Sequence, residues 1–521
     1  MNVFRLNHFL TVLCILFLAG GCASLPPNTT SHKSYALQDT TDTRLGVKYD
    51  ELKKGHSDTS GFIPLGNGLD AFMARALMAQ NADLTIDAQY YMIHNDLTGL
   101  LFAEQLLKAA DRGVQLRILI DDMDLEGRDE GLSCIAGHPN IAVRIFNPFN
   151  RQTSRLGQLL TGFGSVTRRM HNKSFTVDNQ ITIVGGRNIG DEYFDADPAF
   201  AFADLDLMAI GPVVKEVSVS FDEYWNNPMA YPIDVLRPDL THLITVEEGR
   251  KKLTESLTRD SVVTYKQSLA NSGIVNLIQN NELVYTWGQG RVLSDHPDKL
   301  ASYDVDPDNT LSSQLTPFLK DVDRDLLIFS PYFVPGKQGT KALGDLSKSG
   351  VRVRILTNSL ASTDVGVVHA GYAKYRRALL RAGVELYEMN TVISKEQRKG
   401  KKGIHGSSKA SLHAKSFVMD RAEIFVGSLN FDPRSVVENT EIGIMVSSED
   451  LANTAAKAFD HITKVMAFRL ELQTDDEGFE TIIWHGMENG EKRIWQADPH
   501  TSFWQRFGIG FLSLLPIESQ L

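Results

Sequence analysis

The chain has 521 residues, with 64 acidic against 53 basic side chains and a net charge of −11 at pH 7. That length carries two domains with sizeable cores. The acidic balance speaks against the broad basic footprint of a nucleic-acid binder, while leaving room for a local basic cleft.

The chain opens MNVFRLNHFLTVLCILFLAGGCASLP, with Arg5 ahead of an apolar run at 9–18. This is the layout of an export signal, expected over 1–21, and about ten apolar residues fall short of the ~20 that span a bilayer. With Cys22 after the small residues, the segment resembles a bacterial lipoprotein signal, although Ala19 stands where that pattern carries Leu. The resemblance implies an acylated Cys22, stable membrane anchoring through several acyl chains, and a periplasm-facing place in the bacterial cell envelope. Ala23 and Ser24, in place of an Asp, lean towards the outer membrane. Cys14 would leave with the signal, so only Cys134 remains and no disulfide framework is expected; Cys134 reads as a core residue. The polar stretch 22–56 reads as a lipidated tether.

An internal duplication follows. GLDAFMARALMAQNA is helical in pattern and leads into strand-like LTIDAQYYMI; LTGLLFAEQLLKAADRG leads into VQLRILIDD, and IAVRIFNPF comes after a loop. The second half repeats the order, with SQLTPFLKDVDR before LLIFSPYFV, QGTKALGDLSKSG before VRVRILTNS, and YAKYRRALLRAG before VELYEM. Helices alternating with apolar strands predict an α/β fold of two α/β/α halves with mixed, largely parallel sheets. Gly113, Gly350 and Gly383 stand where helices should end. The expected domains are 57–270 and 271–521.

Each half ends in the same chemical element. MHNKSFTVDNQITIVGGRNIG and LHAKSFVMDRAEIFVGSLNFD share the spacing H-x-K-x4-D-x6-G-[GS]-x-N, placing His171, Lys173, Asp178 and Asn188 in register with His413, Lys415, Asp420 and Asn430. In an extended segment positions i and i+2 face one side, so each motif offers an imidazole and an ammonium together. Gly185–Gly186 and Gly427–Ser428 let the chain turn closely, returning each Asn towards the same face. With the halves facing each other, one composite site holds two His, two Lys and two Asn. Such donors suit the oxygens of a phosphodiester, where negative charge builds during transfer. One imidazole attacks phosphorus and the other serves as acid and base.

On these motifs, together with RSVVENTE after the second and the ending HTSFWQRFGIGFLSLLPIESQL, the chain resembles the phospholipase D superfamily and, within it, C-type bacterial cardiolipin synthases. The resemblance covers about residues 56 to 521. It implies a phosphohistidine intermediate, with His171 as nucleophile and His413 as acid/base, although the symmetry of the motifs expresses no preference. It also implies an orienting carboxylate in the strand after each motif: Asp204 and Glu441, with Asp206 and Glu438 as competing readings. Lys173, Asn188, Lys415, Ser428 and Asn430 are expected on the substrate. Asp178 and Asp420, members of the motifs, read as acids that brace its turns or lysines.

The implied reaction is phosphatidyl transfer to a lipid alcohol, making cardiolipin from phosphatidylglycerol with phosphatidylethanolamine or phosphatidylglycerol. A hydrolase releasing phosphatidic acid shares the same site, as does a nuclease; a non-catalytic lipid-binding lipoprotein is the remaining alternative. The expected partners are membrane phospholipids rather than nucleic acid. No metal or other cofactor is expected, because paired lysines carry the charge a metal would neutralise. The basic run KEQRKGKKG, 395–403, is a solvated loop or a recruiter of anionic headgroups. Residues 230 to about 310 read as the crossover between halves that helps roof the cleft. The aromatic C-terminal stretch either packs on the domain or lies in a bilayer interface. Tyr332, His369 and Tyr372 match segments lining a lipid approach but are equally ordinary packing residues.

Overall fold

The computed structural model describes residues 25–29, 32–161, 164, 166–197, 199–241, 243–301, 306, 309–390, 409–488 and 490–513. Cys22 and the basic run 395–403 lie outside them.

The first half begins with β1 (Ser60–Leu65), followed by β2 (Thr85–Tyr90), β3 (Gln115–Asp121) and β4 (Ile141–Phe146). Helices Gly68–Asn81 and Leu97–Asp111 precede β2 and β3. The motif region supplies β5 (Ser174–Val177) and β6 (Ile181–Gly185), and then come β7 (Phe200–Ala203), β8 (Asp206–Ile210) and β9 (Ala230–Pro232). In space the sheet runs β9-β4-β3-β2-β5-β6-β8-β1.

The second half repeats this plan with β10 (Thr286–Ser294), β11 (Asp325–Phe329), β12 (Arg352–Asn358), β13 (Glu385–Met389) and β14 (Lys409–Leu412). Next are β15 (Ser416–Met419), β16 (Glu423–Gly427), β17 (Ile442–Ser447) and β18 (Ala467–Thr474). Its order, β18-β13-β12-β11-β15-β16-β17-β10, is that of the first half strand for strand. A hairpin of β19 (Glu480–Glu488) and β20 (Glu491–Trp495) extends it beyond β18.

The expectation of largely parallel sheets is corrected here. Among the described residues only β2–β3–β4 and β11–β12–β13 pair in parallel within these sheets; every other pairing in them is antiparallel. Parallel neighbours need a crossover connection, and a helical one joins each successive strand of these two runs; the other helical connections, such as Gly68–Asn81 between β1 and β2, join strands that are not neighbours in the sheet. The motif strands instead form a tight hairpin, turned at Asp178 and Asn179 (φ 50° and 48°) in one half and at Asp420 and Arg421 (φ 53° and 58°) in the other. Gly113, Gly350 and Gly383 have φ of 99°, 106° and 89°, and each follows the end of a helix, in the left-handed conformation such positions favour.

Helices cover both faces of each sheet. Along β2, Ile86, Ala88 and Tyr90 join the core under the first two helices, whereas Asp87 on the other face binds Arg117 at 2.7 Å, which also reaches Asp222 of helix Pro212–Trp225 at 2.8 Å. Along β11, Leu326 and Ile328 share a core with Leu343 of helix Gly336–Lys348. Leu327 and Phe329 face Phe459 of helix Glu449–Val465.

Two features join the halves. The first three residues of β10 pair with β1 and the remainder with β17, so the crossover strand ties the sheets edge to edge. Val184, Leu207 and Ala209 pack in one cluster with Val426, Ile444 and Val446, and each buried Val, Leu or Ile among them contributes roughly 1.5–3 kcal/mol.

The domain limits also shift. Ile274 and Tyr285 belong to the first half's core, and the Ile274 amide donates to Asp70 at 2.8 Å, so that core runs past residue 270 to the start of β10. From residue 32 on, the stretch read as a tether is packed against the first half. Backbone amides of Ser34 and Ala36 donate to Asn226 and Asp222, and Leu45 and Tyr49 of helix Arg44–Lys53 are buried. Its polar composition concealed this, because the segment is held by backbone hydrogen bonds rather than by a large apolar face. Cys134 is half-buried and donates to the Thr245 carbonyl, rather than sitting in the core.

Candidate active site

The two motifs meet across the pseudo-symmetric seam between the halves. The His171 amide donates to the Thr440 carbonyl at 2.9 Å, and the Thr440 amide donates to Arg169 at 3.0 Å. On the other side, the His413 and Ala414 amides donate to the Ala203 carbonyl at 2.8 and 3.0 Å, and β14 lies parallel to β7. Thr440 and Ala203 immediately precede Glu441 and Asp204. Each histidine is thus stitched by its backbone to the carboxylate-bearing segment of the opposite half.

The side chains follow the same crossing. Nδ1 of His171 lies 2.8 Å from Glu441 Oε2 and 3.0 Å from Oε1. Nδ1 of His413 lies 2.6 Å from Asp204 Oδ2. A carboxylate on Nδ1 fixes the ring's orientation and tautomer and leaves Nε2 to face the reacting atom. The alternatives are otherwise engaged: Asp206 binds buried Arg75 at 2.8 Å, and Glu438 lies 3.5 Å from Arg168.

Lys173 and Lys415 are buried beside their histidines, each donating to the carbonyl of its own motif histidine at 2.6 Å; Lys415 Nζ also lies 3.0 Å from His413 Nδ1. Asn188 donates to the Tyr193 hydroxyl at 3.0 Å, and Asn430 donates to Ser435 at 3.4 Å while its Oδ1 has no partner. Tyr91 stands edge-on to His171 at 5.0 Å, and Tyr193 edge-on to His413 at 5.2 Å.

Burial sets the electrostatics. It lowers the His171 pKa well below the usual imidazole value, and the neighbouring charges of Lys173 and Lys415 add to the effect. Burial lowers His413 too, helped by Lys415 but opposed by the Asp204 carboxylate. Lys173 is brought down to about 7 by burial, against the pull of Glu441. Burial raises Glu441 to about 7 despite Lys173. For Asp204 burial acts upward, but the charges of His413 and Lys415 overcome it and hold the carboxyl at about 2.

Position 186/428 distinguishes the two pairs. A Cβ on Gly186 would collide with the Asp204 carboxylate, whereas Ser428 donates its hydroxyl to Glu441 and accepts from the Ile442 amide. Ser428, expected on the substrate, is therefore spent on Glu441. Asp178 and Asp420 lie at the far ends of β5 and β15, on the order of 15 Å along the strand from the motif lysines. Asp178 accepts backbone amides of Asp83, Leu84 and Thr85 at 2.8–2.9 Å, and Asp420 those of Asp323, Arg324 and Asp325 at 2.8–2.9 Å. They pin the starts of β2 and β11, outside the pocket and away from the motif lysines.

Asp295 has no motif around it. Its Oδ2 accepts the Glu441 amide at 2.9 Å, its Oδ1 accepts Leu311, and Lys299 pairs with it at 3.0 Å. The crossover segment therefore grips the strand that carries Glu441. Tyr332 hands its hydroxyl to Asp364 at 2.6 Å, with its ring 6.4 Å from His413. Buried His369 meets Arg376 at 2.6 Å and lies edge-on to Tyr372. His94, without ligand spacing along the chain, lies 3.2 Å from Asp124, 3.4 Å from Glu192 and 3.7 Å from Asp96. Hydrogen bonds to Asp124, Asp96 and Glu192 raise its pKa to about 11, so it sits there as a cation among carboxylates.

Comparison with known proteins bears on the family and the fold. A family model described as cardiolipin synthase, phospholipase D-like domain, matches residues 77–225 and 315–463, one match on each half. The chain is 40% identical over 480 residues to cardiolipin synthase C of Escherichia coli (strain K12), covering 91% of this chain and 99% of that protein. It is 32% identical over 516 residues to an uncharacterized protein of Helicobacter pylori (strain ATCC 700392 / 26695), covering 98% and 99% of the two chains. The crystal structure of phosphatidylserine synthase from Haemophilus influenzae Rd KW20 superposes with a TM-score of 0.54 at 14% identity, over 81% of this chain and 92% of that one, a likeness of fold. With a family match on both halves and a curated relative covered nearly end to end, this chain belongs to the cardiolipin synthase family of phospholipase D-like proteins.

Proposed function

We propose that this protein is a phosphatidyltransferase that makes cardiolipin, moving a phosphatidyl group from phosphatidylglycerol or phosphatidylethanolamine to the alcohol of a second phosphatidylglycerol. The observation that carries the reading is the pair of crossed His–carboxylate couples, His171–Glu441 and His413–Asp204, beside two buried lysines.

In this mechanism His171 Nε2 attacks phosphorus, and the bond to the departing headgroup oxygen breaks as His413 delivers its proton there. The acceptor hydroxyl then gives its proton to His413 and attacks the phosphohistidine, releasing neutral His171. Lys173, Lys415, Asn188 and Asn430 donate to the phosphoryl oxygens as charge builds. His171 is favoured as nucleophile because burial and the lysine charges keep it neutral. His413 carries the proton better because ionised Asp204 faces it. Glu441 and Asp204 orient the two rings.

An acylated Cys22 would place the enzyme on an envelope membrane, facing the periplasm, with outer-membrane placement favoured by Ala23 and Ser24. The test of function is the product spectrum on mixed phosphatidylglycerol and phosphatidylethanolamine vesicles. Cardiolipin with free glycerol or ethanolamine is expected, and the released headgroup identifies the donor. Phosphatidic acid alone would make the protein a hydrolase.

A further inference from the structure

We infer that the aromatic face of the C-terminal helix Phe503–Leu512 docks on a bilayer surface and seats the catalytic mouth there; the second part of this rests on the lipid substrate proposed above. The helix reads FWQRFGIGFL and starts at a capping box of Ser502 and Gln505. Residues 503, 507 and 511 fall on one line, with 504 beside it, by helical spacing. Phe503, Trp504, Phe507 and Phe511 are 63%, 75%, 59% and 59% exposed. Phe503 and Phe507 stack at 6.2 Å, and Trp504 meets Phe507 edge-on at 6.1 Å, so these three rings form a contiguous patch, with Phe511 one turn further along the same line.

This helix is held, not trailing. Asp498, just ahead of it, accepts from Arg376 at 2.9 Å, and Arg376 also pairs with buried Glu388 at 2.9 Å. The helix's one charged residue, Arg506, turns back to the Thr501 carbonyl at 2.7 Å. On the inner side, Ile509 Cδ1 lies 3.5 Å from where a Cβ on Gly366 would stand. Helix Gly366–Ala373 begins two residues after Asp364, the acceptor of the Tyr332 hydroxyl beside His413. The patch therefore adjoins the approach to the catalytic histidine, and Val365 and Val367, each 37% exposed, continue its apolar character.

A lipid surface fits better than a second copy of the chain. Four rings of roughly 150–250 Å² each, at about 60% exposure, offer on the order of 500 Å², short of the ~800 Å² per partner that stable protein interfaces bury. Trp settles at headgroup level, and interfacial helices carry Trp and Phe on the face that enters the headgroup–acyl boundary. Ten residues make a helix of about 15 Å, which lies in the interface and does not cross it.

The test uses the full chain and vesicles of dibrominated phosphatidylglycerol and phosphatidylethanolamine. Trp504 emission, taken as the difference between wild type and W504F, is expected to be quenched. A Phe503→Ser, Trp504→Ser, Phe507→Ser triple variant is expected to lose about tenfold or more in turnover on vesicles, yet stay within about twofold of wild type on a short-chain phosphatidylglycerol dissolved as monomers. Absence of quenching, or wild-type vesicle turnover by the triple variant, overturns the inference. So does a dimer-to-monomer shift in sedimentation with vesicle turnover unchanged. If wild type turns over neither lipid, the proposed reaction fails, and quenching alone then decides the docking.

Discussion

Glu441, carried by the second half, sits 2.8 Å from Nδ1 of His171 in the first, and Asp204 returns the relationship to His413 at 2.6 Å. Neither half therefore owns a complete histidine–carboxylate couple. On the proposed mechanism the duplicated chain is one active site divided between two folds, and docking of the halves is part of catalysis.

The crossing predicts that E441Q and D204N act like damage to the histidine on the other side. Each should lower kcat by about 10²–10⁴-fold, as loss of an orienting carboxylate does elsewhere, with KM little changed. Steady-state kinetics on phosphatidylglycerol checks this. Unaltered kcat in either variant would remove that carboxylate from the mechanism.

Ser428 should act on the chemistry through Glu441, to which it donates its hydroxyl. S428A removes one hydrogen bond to that carboxylate, so kcat should drop about tenfold while KM holds. The same bond lowers the Glu441 pKa. Its loss should therefore move the pH dependence of kcat to higher pH, a shift that a simple packing defect would not produce.

Asp178 and Asp420 are expected to matter for stability rather than for chemistry. D178A strips three backbone amides of their acceptor and places Ala at φ 50°. It should cost about 2–4 kcal/mol by denaturant unfolding. D420A should cost less, because two of its three amide bonds lie at an exposed site, whereas those of Asp178 are part-buried. Turnover per folded molecule should stay within a few-fold of wild type in both.

The pH profile should be a narrow bell near pH 7. His171 acts neutral and its pKa lies well below 6.5, so the acid limb of kcat/KM falls to Glu441, which orients the ring as a carboxylate and which burial raises to about 7. Lys173 acts as an ammonium; with its pKa brought down to about 7 it is charged below that pH and loses its charge above it. The alkaline limb should therefore begin near pH 7 as well. An acid limb unmoved in E441Q would take the Glu441 carboxylate out of the profile.

Much of this site is legible in the sequence because its spacing is set by local geometry. His-x-Lys works through the two-residue period of extended chain, and the Gly-x-x-Asn return works through a turn at fixed distance. The crossing of the carboxylates is different in kind. It depends on how two folded halves dock, and Asp204 and Glu441 are candidates for either ring until Thr440 meets His171 and Ala203 meets His413. Asp295, gripping the Glu441 strand from a region without a motif, carries no local signal for the same reason. The expectation of parallel sheets comes from their most regular part: helix–strand alternation marks β2–β3–β4 and β11–β12–β13, while the short antiparallel motif strands read as chemistry rather than as hairpins.

The central claim, that one composite site works through a phosphohistidine at His171, is tested most directly by trapping the adduct. An H413N variant, deprived of its acid/base, would be given a phosphatidyl donor with a good leaving group, such as a 4-nitrophenyl ester, then quenched in cold denaturant at mildly basic pH, where both the P–N bond and the acyl esters survive, and mapped by peptide mass. The phosphatidyl mass is predicted on the peptide carrying His171, and absent when His171 is also replaced. An adduct on another residue, or nitrophenol released by the double variant as fast as by H413N, would contradict the account.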